Sequence, residues 1–67
     1  ILDEYHPLLV TSEGELYVTV RRNLQARVHR NVYYQWVSLA KEKQTSQGTE
    51  VIFSSAGVEF SLGLISQ

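Results

Sequence analysis

The sequence has no cysteine and no methionine, a single proline and a single tryptophan, and Asp3 is its only aspartate. Without cysteine there is neither a disulfide framework nor a thiolate metal site, so the staples of most small secreted domains are excluded. A chain that opens at Ile1 and holds no methionine is expected to be one small domain, residues 1–67, of a longer protein. No run approaches the roughly 20 apolar residues that span a bilayer. The first residues carry Asp3 and Glu4 where a signal peptide would be basic. The expectation is a cytoplasmic protein with no membrane partner. A domain of this length removes only about 60% of its unfolded surface from water, which makes its stability marginal.

The catalytic inventory is thin. A nucleophile needs a base within hydrogen-bond reach and a group that orients the base. The only histidines are His6 and His29, and no serine stands in a Gly-x-Ser-x-Gly elbow. Neither phosphate-cradling glycine loop is present, and no cofactor is expected. Asp3, Glu4 and His6 are close in sequence, but a chain terminus is a poor frame for the convergent ligands a divalent ion requires, so no metal site is expected.

What is present is patterning. Leu8 to Thr11 is short and β-prone, and Ser12-Glu13-Gly14-Glu15 supplies turn chemistry before Leu16 to Val20. Leu16, Val18 and Val20 alternate with Tyr17, Thr19 and Arg21. Leu24, Ala26 and Val28 do the same with Gln25, Arg27 and His29. From Asn31 to about Lys43 the period changes to 3.6, with Val32, Tyr33, Trp36, Val37, Leu39 and Ala40 on one stripe. Lys41 and Lys43 would then complement the macrodipole in the last turn. Gln44 to Thr49 reads as a polar loop. Val51-Ile52-Phe53 and Val58 to Leu62 read as a hairpin with a four-residue connection, Ser54 to Gly57. The order is β-β-β-α-β-β, an α+β domain in which an antiparallel sheet of four or five strands carries one amphipathic helix on one face.

Charge is unevenly spread. Arg21, Arg22, Arg27 and Arg30 fall within ten positions with His29 among them and no carboxylate, leaving two cations against seven acids elsewhere. Such a region could attract phosphate, carboxylate or an acidic surface. Arg21, Arg27, His29 and Arg30 are the candidate anion-binding residues, with Arg30 at the mouth of the helix where backbone amides are exposed. The alternative is a solvated sheet face whose arginines pair with Glu13, Glu15, Glu50 and Glu59. Nucleic-acid binding would want more positive charge and more exposed aromatics than Tyr17 and Tyr34.

His6-Pro7-Leu8, Tyr17 to Arg21, and the run Leu24 to Tyr34 (Leu-x-Ala-Arg-x-x-Arg-x-Val-Tyr-Tyr) resemble the C-terminal half of the proteobacterial family known as domain of unknown function 1285. The resemblance extends over Leu39-Ala40 and Phe53 to Gly63, and so over nearly the whole chain. Asn31, where the family often has proline, and Asn23, where glycine is common, depart from the pattern. The resemblance implies a bacterial protein with an N-terminal half ahead of this segment, and it implies no reaction. The functional expectation is a non-enzymatic binding or protein-interaction domain that self-associates or packs against that N-terminal half. The alternatives are anion or phosphorylated-ligand binding through the arginine cluster, or part of an enzyme whose site is shared with a missing domain.

Overall fold

Alternation at Leu16, Val18 and Val20 does what the pattern predicts. All three face one side of a strand, and the first two are buried. The computed structural model describes residues 5–65. Its elements in chain order are β1 (Tyr5–His6), β2 (Leu9–Val10), β3 (Leu16–Val20), β4 (Leu24–Val28), α1 (Arg30–Leu39), β5 (Lys41–Thr45), β6 (Gly48–Ser55) and β7 (Val58–Ile65). The strands form one antiparallel sheet with the central path β2-β3-β7-β6-β5. β4 lies on the outside of β3, and β1 pairs with β7. The fold is α+β, as expected, with more strands than the pattern revealed.

One face of the sheet holds the core. Leu16, Val18, Val28, Val51 and Leu62 meet Tyr33 and Val37 of the helix, with Val32, Trp36, Ala40, Phe53, Phe60 and Ile65 packed around them. Trp36 stacks on Phe53 with ring centroids 5.2 Å apart and touches Phe60 at 4.8 Å. Tyr33, only 1% exposed, reaches across and donates its hydroxyl hydrogen to the Leu62 carbonyl at 3.2 Å. Burial, and the neighbouring Tyr34 to a lesser degree, raises the Tyr33 hydroxyl from 10.0 to about 12.

Three expectations need correction. The helix stops at Leu39 instead of reaching Lys43, because residues 41–45 pair with β6 from Lys41↔Ile52 to Thr45↔Gly48. Lys41 and Lys43 are therefore strand residues, and Leu39 is 71% exposed, outside the core. The polar loop expected at Gln44 to Thr49 is a hairpin with a two-residue turn, Ser46-Gln47. The Thr45 hydroxyl accepts from the Gln47 amide and donates to the Gly48 carbonyl, closing that turn. The β6–β7 connection is likewise two residues long. Ala56 and Gly57 both have positive φ (52° and 77°), the mirror-image turn whose twist suits a hairpin, while Ser54 and Ser55 stay in the ladder.

The N-terminal segment joins the two halves of the sheet. β3 and β7 pair only at Thr19↔Ser61 and Val20↔Phe60, then part. Residues 5–10 occupy the divergence, with β1 bonded to β7 at Tyr5↔Ile65 and His6↔Leu64, and β2 bonded to β3 at Leu9↔Tyr17 and Val10↔Leu16. Gly63 makes this fit possible. A Cβ built there would stand 1.7 Å from the His6 carbonyl oxygen, and its φ of 145° is one that side chains rarely adopt.

Candidate functional site

The face of the sheet away from the helix has no covering element among the described residues. Register places Thr19, Ser61 and Ile52 in one row across β3, β7 and β6, all with side chains on this open face. Glu50 and Lys43 face each other one step further along β6 and β5. A groove of about 460 Å³ crosses these strands, lined by Leu8, Thr19, Arg21, Arg22, Lys43, Glu50, Ile52, Glu59 and Ser61. A second depression of about 240 Å³ continues it past Leu8 and Glu50 to Leu64 and the Thr45-Ser46-Gln47 turn.

Each charged wall has a structural cause. Arg21 and Arg22 belong to the three-residue loop between β3 and β4. Arg21 has φ 54°, a left-handed conformation that is uncommon for a side-chain-bearing residue. Its amide donates to the Glu59 carbonyl at 3.1 Å, which ties the loop to β7 at the edge of the groove. Lys43 reaches the opposite end from β5. Between them the Ser61 hydroxyl donates to a Glu50 carboxylate oxygen at 2.5 Å, fixing the one acid in the groove's centre. The lining holds three cations against two carboxylates.

The sequence-predicted cluster is divided by the fold. Arg21 lies in the loop beyond Val20, whereas Arg27 sits opposite Tyr17 and His29 and Arg30 follow β4 at the far end of the hairpin. Four residues of strand separate the levels of Arg21 and Arg27, roughly 13 Å. Arg27 is engaged by Glu15 at 2.5 Å. His29 and Arg30 are exposed at the start of the helix, where His29 makes no side-chain cap. Of the four candidates only Arg21 lines the groove, where Arg22 and Lys43 join it. Sequence reasoning counted Arg22 in the basic cluster without naming it a candidate site residue, and read Lys43 as a helix end. No linear signal connects them, because they meet only through the β3-β7-β6-β5 order.

The groove holds no nucleophile-base-orienter set. Ser61 faces a carboxylate, while His6 is on β1 and His29 is at the other end of the molecule. Among the described residues no three metal-ligating side chains cluster, and Asp3 and Glu4 lie outside those residues. No helix is long and apolar enough to cross a membrane.

No curated protein and no solved structure matches the chain. The family model for the protein of unknown function DUF1285, C-terminal domain, matches residues 1–62. With nearly its whole length accounted for, the chain belongs to the DUF1285 family, through its C-terminal domain.

Proposed function

We propose that this domain is a non-enzymatic binding module of a cytosolic protein, and that it receives an anionic group in the groove on its open sheet face. The observation that carries this reading is the convergence of Arg21, Arg22 and Lys43 on the lining of one groove. Guanidinium forks and an ammonium on one surface favour carboxylate or phosphate. The groove therefore replaces the Arg21, Arg27, His29 and Arg30 set as the place where an anion would be held, with Arg21 common to both. Ser61 and Thr19 add hydroxyls that can complete the ligand's hydrogen bonds.

Titration of the isotopically labelled chain with inorganic phosphate at low salt tests this by amide chemical shifts. Saturable shifts are expected at Arg21, Arg22, Lys43 and Ser61, and they should vanish in the Arg22→Glu variant while its melting temperature stays near the parent's, since exposed substitutions usually fall within about 0.5 kcal/mol. Shifts centred on Arg27 and Arg30, or none that saturate, would overturn the reading.

Protein interaction is favoured by a separate observation. Leu24, 61% exposed, and Leu39, 71% exposed, stand outside the core, and Leu9 and Val10 are also open to solvent. We infer that these residues are covered by a neighbouring domain or by a second copy. Light scattering after size exclusion checks the second of these, and a monomer at high concentration would leave only the first.

A further inference from the structure

We infer that the outer edge of β4 joins the same edge of a second copy of this chain, antiparallel about a two-fold axis at Ala26, so that two sheets become one. The inference rests on the protein-interaction reading above and names its surface and its partner. Among the described residues the sheet ends on β4 at one side and on β5 at the other. Open strand edges invite further strands, and native proteins blunt them with charge, proline or a bulge. β5 is blunted, for its sequence is Lys41-Glu42-Lys43-Gln44-Thr45. β4 is not. Leu24-Gln25-Ala26-Arg27-Val28 pairs with β3 in unbroken register and carries a single charge, Arg27, which Glu15 engages.

Main-chain parity leaves this edge free to bond. The Arg21 amide donates to the Glu59 carbonyl, in step with Thr19↔Ser61, so the odd-numbered residues of β3 turn their main-chain groups toward β7. The even-numbered residues then bond to Leu24, Ala26 and Val28 of β4. Gln25 and Arg27 are left with amide and carbonyl directed outward. A two-fold axis at Ala26 sets Gln25 of each copy opposite Arg27 of the other, for roughly four main-chain bonds in all. Ala26 then meets its own counterpart at a non-hydrogen-bonded pair, where side chains come closest and a methyl fits. On the helix face Leu24, 61% exposed, comes beside Val28 of the second copy, and on the open face no like charges stand directly opposite. β5 fails the same construction. An axis at Lys43 sets Lys43 against Lys43, and an axis at Glu42 sets Glu42 against Glu42. The match of β4 to itself, which β5 lacks, is what points to a second copy.

The test is sedimentation equilibrium of the whole chain, which should show a concentration-dependent dimer. Gln25→Pro removes an outward amide that no described strand uses and should abolish the dimer. Should that variant not fold, the charge variants decide. Gln25→Lys sets like charges opposite Arg27 and should weaken the dimer about fivefold, whereas Gln25→Glu should tighten it, and Lys41→Glu on the other edge should do neither. The chain has no cysteine, so Ala26→Cys introduces one thiol per copy. Position 26 is the one place on β4 that meets itself, within the Cα separation a disulfide requires, so this variant should cross-link under mild oxidation and Leu24→Cys should not. A monomer at every concentration would overturn the second copy and leave a neighbouring domain as the cover for this edge. A dimer indifferent to residue 25, or Leu24→Cys linking as readily as Ala26→Cys, would place the contact elsewhere and overturn the β4 pairing while the broader interaction reading stands.

Discussion

The two faces of this one sheet are built to different rules. On the helix side, alternate residues of β3, β4, β6 and β7 are valine, leucine and phenylalanine packed against Tyr33, Trp36 and Val37. On the other side the same strands present Thr19, Arg27, Ser61, Glu50 and Glu59, with Lys43 from β5. A period of two lets a single strand serve both faces, because successive side chains never share a side. Stability is concentrated on the first face, so residues on the second can change with little effect on folding.

The widest separation between the faces should come from Gly63, which serves the backbone itself. Gly63→Ala would push a methyl into the His6 carbonyl and detach the N-terminal segment from β7. A loss of roughly 3 kcal/mol or more is expected by chemical denaturation, a large part of the stability such a domain has. A fully stable variant would show that residues 5–10 are not structurally required.

Trp36→Ala should follow, at roughly 2–4 kcal/mol. The ring is stacked on Phe53 and Phe60 but only half-buried, so the cost falls at or below the usual range for deleting a large aromatic. A melting temperature within a degree or two of the parent would remove Trp36 from the core.

The smallest effect concerns Tyr33. Its hydroxyl is raised in the folded state to about 12 from 10.0, so folding favours the neutral form. The associated stability is fully present below about pH 10 and is lost as pH rises from 10 toward 12, at up to about 1.4 kcal/mol per unit. Tyr33→Phe should cost about 1 kcal/mol at neutral pH, through the hydrogen bond to Leu62, and should flatten the decline above pH 10. Parallel stability curves for parent and variant through that window would show that the hydroxyl is not held neutral by burial.

The sheet-on-helix plan was legible because most of its strands have one buried face, and alternation records that. β5 was not. All five of its residues are exposed, since it is an edge strand with no buried parity, and Lys41-Glu42-Lys43-Gln44-Thr45 is equally acceptable as a helix end. What decides is pairing with β6, a contact that no local pattern encodes. The same gap hid the groove. The arginines near Arg27 were visible because they are neighbours in sequence, but Lys43 joins Arg21 and Arg22 only once β5 is placed. Arg22 illustrates the converse: its loop carries no pattern of its own, and the bond from the Arg21 amide to the Glu59 carbonyl makes it a wall of the groove.

The pairing of Tyr5 with Ile65 has a consequence for how the domain sits in a longer polypeptide. Partners in an antiparallel ladder have Cα atoms about 5 Å apart, so the chain enters and leaves the fold at one corner. Such a domain behaves like a bead on a clasp, able to hang from a neighbouring unit without drawing its two attachment points apart. Residues 5 and 65 could be joined by a short linker and new ends opened at the exposed Ser46-Gln47 turn, with every strand keeping its neighbours.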